Sequence, residues 1–213
     1  MSMTALRRSL PRVLPPVLAL ALAAAAAAGC TLALPGQGVP PKLFTLSPKS
    51  TYSSDLPTVG WQLVVELPVT AESLNTLRIA LRQDPLSLEY YKNARWTERA
   101  PVMVQTLLVE SFENTGKIVA VARKATDLRA DYVLKIDLRE FQAEYDPAGT
   151  PSAHVRLNAK LVKMPQRTII ASHKAERRVR AEGSDMNQVI YAFDGALGGT
   201  LKSVVEWALR AAK

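Results

Sequence analysis

Cysteine is almost missing from this chain: Cys30 is the only one in 213 residues. No disulfide can form within the chain, so burial has to supply its stability. Histidine is scarce too, with His154 and His173 on the two arms of one predicted hairpin. If the turn centres on Pro165 and Gln166, both histidines lie on the polar face. His173 then pairs near Asn158, four residues or about 13 Å from His154. That spacing excludes a shared metal ion and reads both as structural surface histidines. No G-x-S-x-G elbow occurs, and Ser184 reads as a helix N-cap in preference to a nucleophile. The one glycine cluster, "GALGGT", sits inside a helical pattern and lacks the lysine of a phosphate-binding loop. Acid pairs such as Glu140 and Glu144 stand among bases, as they do on any solvated face. The sequence thus offers no catalytic residue, no metal ligand set and no cofactor cradle, and the expectation is a protein that is not an enzyme.

Acids are missing altogether from the first 29 residues, which carry Arg7, Arg8 and Arg12 ahead of an alanine-rich apolar run from Val17 to Ala28. Crossing a bilayer takes about 20 apolar residues, and this run has only twelve. Its layout is that of a signal peptide. Ala27, Ala28 and Gly29 leading into Cys30 resemble a bacterial lipobox, although alanine replaces the usual leucine three places before the cysteine. That resemblance implies cleavage before Cys30 and acylation of its thiol and of the new amino terminus. The alternative is an ordinary cleavage site beside an incidental cysteine. Two or more acyl chains hold a protein firmly on a membrane where one does not, so Cys30 is expected to be the anchor, with no other cofactor. Sorting of such proteins implies that Thr31, a residue other than aspartate after the cysteine, favours the inner leaflet of the outer membrane.

Removal of residues 1–29 takes away three of 27 bases and none of 19 acids, leaving 24 against 19 and a net charge of +5. Bases and acids alternate along most of what remains, and an exported chain meets little nucleic acid, so a mixed solvated surface is expected without a nucleic-acid partner. The densest basic run, "HKAERRVRAEG", suits a charged sheet edge or a contact with anionic head groups or an acidic partner. Residues 30–41 follow the cut as a tether, in which two glycines and three prolines forbid a regular helix. Fully stretched, it reaches about 35 Å.

Residues 42–213 are long enough for one well-buried domain. "KLFTLSP" and "TVGWQLVVELPV" read as strands, the second with Leu63, Val64 and Val65 apolar on both faces, which implies helices on both sides. "RIALRQDPLSLEYY" reads as a hairpin turning at Gln83, Asp84 and Pro85. Residues 100–116 predict a helix with Pro101 in its first turn and Gly116 as its cap. Three more strand patterns carry the chain to residue 179, after another in "KIVAVA". A closing helix buries Ile190, Phe193, Leu197, Leu201, Val204 and Ala208. The expected fold is a single α/β domain, a mixed sheet flanked by helices, with a long C-terminal amphipathic helix.

One stretch is more specific. Residues 74–108 contain Leu74, Thr76, Arg78 and Ile79, then Tyr90 and Tyr91, then Arg95 and Trp96. This pattern resembles the ABC-type transport auxiliary lipoprotein family, the lipoprotein components of MCE-type and paraquat-inducible systems. Asn75 stands where that family often has aspartate, and "LFTL" at 43–46 replaces a more aromatic opening. The resemblance implies a non-catalytic periplasmic subunit of a machine that moves lipids or other hydrophobic molecules between the inner and outer membranes. Its implied partners are an MCE-domain protein and an ABC permease and ATPase, with the membrane reached through the lipid anchor. Whether copies join into a homo-oligomer is left open. Trp, Tyr and Arg dominate binding hot spots, so Arg78, Tyr90, Tyr91, Arg95 and Trp96 are the candidate partner-binding residues, with covering of the sheet as the alternative role. A stand-alone lipid carrier with its own apolar pocket is the alternative function.

Overall fold

The computed structural model describes residues 40–123 and 129–212, so Cys30, the signal peptide and most of the tether lie outside the described residues. Strand β7 (Tyr132–Tyr145) is the axis of a mixed nine-stranded sheet. Along one edge it pairs antiparallel with β8 (Pro151–Lys163), which pairs with β9 (Thr168–Arg180). Along its other edge, three short strands lie end to end, all parallel to it. These are β2 (Gln62–Val65) beside Tyr132–Leu134, β3 (Val69–Thr70) beside Asp137–Leu138, and β4 (Arg78–Arg82) beside Gln142–Glu144. Beyond β4 come β5 (Glu89–Trp96), antiparallel, and β1 (Lys42–Phe44), parallel to β5; beyond β2 comes β6 (Ala120–Ala122).

Alternation along β7 decides which face is covered. Leu134, Ile136 and Leu138 are buried, whereas Lys135 is exposed and Asp137 half-buried. Helices α1 (Ala100–Glu113) and α2 (Met186–Ala211) both pack into the single large core on that buried face and touch each other. The expectation of helices on both sides of Leu63–Val65 is therefore corrected. Leu63 and Val65 enter the main core, and Val64 joins Ala122, Val133 and Val162 in a small separate cluster on the opposite face. Residues Ala130 and Met164 pack against that second cluster, and neither belongs to a helix. The opposite face is called the open face below.

The predicted stripe of α2 is buried throughout, and Gly195 and Gly199 give it a close fit to β9. A Cβ on Gly199 would lie 3.2 Å from Arg177 Cγ, and one on Gly195 would touch the Val179 methyls at 3.7 and 3.8 Å. Its N-cap is Asp185, whose carboxylate accepts from the Asn187 backbone N–H, in place of the expected Ser184. In α1, Pro101 sits in the first turn as expected, and the cap is Asn114, two residues before Gly116 turns the chain at φ +61°. The hairpin β4–β5 turns where the sequence places it. Asp84 accepts from the backbone N–H groups of Leu86 and Ser87, and the Ser87 hydroxyl holds its carboxyl below the usual range.

A register shift between Leu161 and Val162 places His173 opposite Ala159. One residue of slip moves a side chain to the other face, so the histidines are not on one face. His173 lies on the helix side, stacked on Trp207 with ring centroids 5.3 Å apart and its Nε2 2.8 Å from Ser203 Oγ. His154 is on the open face and only 2% exposed, which overturns its reading as a surface residue.

Candidate docking surface

The open face has two polar zones that the strand registers assemble. At its centre, β7, β8 and β9 align Glu140, Arg156 and Glu176 in one row, and Gln142, His154 and Arg178 in the next. His154 Nδ1 lies 2.8 Å from Glu144 Oε1, and its Nε2 2.8 Å from Glu176 Oε1. Both carboxylates accept hydrogen bonds at once when the ring carries both of its protons. Arg156 donates to Glu140 at 2.6 Å, Arg178 to Glu144 at 3.3 Å, and Arg82 lies 3.9 Å from each of Glu140 and Glu144. A salt bridge from Lys174 and a bond from His154 hold the Glu176 carboxyl down at about 2. Burial raises that of Glu144, but bonds from His154, Gln142 and Arg178 outweigh it and leave the group below its ordinary value.

Glu140, Glu144 and His154 bring ligand-type atoms within 4.8 Å of one another, which is metal-like spacing. The same oxygens already face Arg82, Arg156 and Arg178, and a divalent cation would have to displace or repel these guanidinium groups. The donor set fits a self-neutralised ionic network better than a metal centre.

The second zone crosses β1, β5 and β4. Leu43 pairs with Arg95, and Arg95 pairs with Arg78, so all three side chains share the open face. The Arg78 guanidinium lies 3.5 Å from the centroid of Tyr90, whose hydroxyl donates to the Ser73 carbonyl at 3.0 Å. The stacking fixes Arg78 through its cation–π contact. Among the described residues neither Arg78 nor Arg95 has an ion-pair partner, and like charges opposite each other on a sheet repel. Leu43, 61% exposed, completes the row.

The structure thus divides the five residues singled out by the sequence. Arg78, Tyr90 and Arg95 come together on the surface. Trp96 points into the core, 1% exposed, within 5.3–5.5 Å of the Phe193 and Phe141 ring centroids. Tyr91 is half-buried, with its hydroxyl 2.9 Å from that of Tyr145. Burial, and then that bond, pushes the Tyr91 hydroxyl's pKa well up. Leu43 was missed as part of the row, since only the β1–β5 pairing places it beside Arg95. His154 was missed as the centre of the network, although its place on the polar alternation of β8, with Ser152 and Arg156 two residues to either side, was a usable signal.

These features sit within a fold shared with known proteins. A crystal structure of a Xanthomonas campestris protein is 33% identical, with a TM-score of 0.76, over 80% of this chain and 95% of that one. A second, uncharacterised crystal structure has a TM-score of 0.64 at 10% identity, covering 80% of this chain and 99% of its own, and shares the fold alone. An uncharacterised protein of Bradyrhizobium diazoefficiens is 29% identical over 116 residues; that match covers 54% of this chain and 31% of the relative's length. No helix among the described residues is long and apolar enough to cross a membrane. The family model described as the ABC-type transport auxiliary lipoprotein component matches residues 44–205, which include every described strand from β2 to β9, the whole of α1 and most of α2, and the chain belongs to that family.

Proposed function

We propose that this protein is a lipid-anchored, non-catalytic auxiliary subunit of an ABC transport system that moves lipids or other hydrophobic molecules between the inner and outer membranes. Family membership over residues 44–205 is the observation that carries the reading. In it, Cys30 carries the acyl chains, the proline- and glycine-rich segment up to Pro41 is the tether, and the anchored leaflet is the inner face of the outer membrane. The docking partner is an MCE-domain protein that bridges to the permease and ATPase of the inner membrane. Arg78 and Arg95 are the anchoring cations of the interface, positioned by Tyr90 and flanked by Leu43, and they suit an acidic, partly apolar patch on that partner. Tyr91 and Trp96 support the surface from beneath: Tyr91 fixes the end of β7 through Tyr145, and Trp96 fills the core behind Arg95.

Copurification tests this. A C-terminally tagged chain, gently solubilised from membranes, is expected to recover an MCE-domain protein and an ABC permease. The Cys30→Ala chain, having lost its anchor, is expected to lose both. The doubly substituted Arg78→Glu, Arg95→Glu chain is expected to remain membrane-bound and lose only the partner. Repeated isolation of a lone lipoprotein, even after crosslinking, would rule out the docking role.

A further inference from the structure

The sheet's open face carries, at the end remote from the arginine row, a cleft of about 360 Å³ that the docking reading does not use. Its apolar lining is Val133, Val162, Met164 and Ile169. Val133 and Val162 are Cα partners on β7 and β8, and Val162 is paired with Ile169 on β9, so the lining is one continuous row across three strands. The wall beside it is held in place, because the Met164 backbone N–H donates to the Asp131 carbonyl at 2.8 Å. Ile169 is left 53% exposed at the mouth.

Cations surround this apolar row. Lys135 and Arg167 line the cleft, and Lys160 is the direct Cα partner of Lys135 one step from Val133 and Val162. Among the described residues the only acid lining it, Glu66, is engaged by Lys135 at 2.6 Å. Among the described residues, Lys160 and Arg167 have no ion-pair partner. Arg167 also adopts φ +57°, a conformation that costs a non-glycine residue free energy at a turn where glycine or asparagine would fit more easily. A concave apolar row, of a volume ordinary for small-molecule sites and surrounded by excess positive charge, is complementary to one chemical class.

We propose that this cleft binds a single alkyl chain bearing an anionic head group, a carboxylate or a monoester phosphate. The chain lies along Val133, Val162, Met164 and Ile169, and the head group accepts hydrogen bonds from Arg167 and the Lys135–Lys160 pair. This assignment is independent of the docking row, which lies on other strands, so copurification of a transport partner neither supports nor damages it.

The test uses the full chain in isolated membranes and alkyne-tagged diazirine palmitate, with the diazirine alcohol of the same length as the neutral control. After irradiation, label from the palmitate is expected in the segment from residue 160 to 172. Arg167→Gln is expected to cut it about tenfold, the value of one charged hydrogen bond, while leaving the alcohol's weaker labelling unchanged. Ile169→Asp, on an exposed side chain whose change should leave the sheet folded, is expected to abolish labelling by both probes. Leu86→Asp, at an exposed turn elsewhere, is expected to change nothing. Competition by unlabelled palmitate or by lysophosphatidate assigns the head group and supports the site in either case. Label spread in proportion to exposed surface, or unaltered by Ile169→Asp, would overturn the proposal. So would a photo-crosslinking residue at position 169 that captures a protein segment, because the cleft would then be a protein interface.

Discussion

Trp96 and Arg95 are chain neighbours with opposite fates, which follows from the two-residue period of a strand. Trp96 closes an aromatic cluster with Phe141 and Phe193, whose own centroids are 5.4 Å apart. Trp96→Ala is expected to cost about 3–5 kcal/mol, read as a fall in the denaturant midpoint. Arg95→Gln, on an exposed side chain, is expected to stay within about 0.5 kcal/mol of wild type. The motif singled out both residues, but the expected hairpin arm ended at Tyr91, short of the strand end that carries them. It could not say which faced out, because the burial of Trp96 depends on a helix nearly a hundred residues later. His173 supplies a pH-dependent prediction. Burial against Trp207 lowers its pKa, so the folded state favours the neutral ring. The unfolded ring takes up its proton near pH 6.5, ahead of the folded one. The stabilisation of the neutral ring is therefore full above that pH and declines as pH falls through it. His173→Gln is expected to flatten the dependence of unfolding free energy on pH between 7 and 5, measured by urea titration.

At the level of whole elements, α2 gives the most direct forecast. A Cβ on Gly198 has nothing nearer than Lys49 Cδ at 3.9 Å, so Gly198→Ala is expected to stabilise by about 0.5–1 kcal/mol through helix propensity alone. Gly199→Ala is expected to gain less, since Arg177 must give way first. Thermal denaturation of the two variants would rank them. The α2 stripe, the β4–β5 hairpin and the β7–β9 meander were legible in the sequence because each declares itself through local periodicity and turn residues. The side occupied by the helices was not. A run such as Leu63–Val65 records burial on both faces without recording whether a helix or a few loop residues provide it. The register shift at Leu161–Val162 left no sequence signal either, and it sent His173 to the face opposite His154. The arginine row fell between these cases: its two arginines were singled out, but Leu43 and the row's geometry needed the pairing of β1 with β5.

For the molecule as a whole, the ionic network on the open face predicts acid sensitivity. The Glu144 and Glu176 carboxyls sit below their ordinary range in the folded state. Their contribution is complete above the unfolded value near pH 4.3 and is lost as pH falls from there towards the folded value of about 2 for Glu176. His154→Leu, which removes the ring that both carboxylates share, is expected to leave them to the surrounding lysine and arginines and to move the onset of acid unfolding to higher pH, observed by circular dichroism. The alignment of β2, β3 and β4 along one edge of β7 also dictates an order of assembly. All three pair with a strand that begins at Tyr132, so a chain emerging from its N-terminal end can form the β4–β5 hairpin but cannot join β2, β3 and β4 into one sheet until that strand has been made. The β7–β8–β9 meander, whose pairings are local and therefore quick to close, can form first and act as the template. Until then the preceding strands lack the edge that unites them, and the late strands, not the early ones, determine when the sheet is complete.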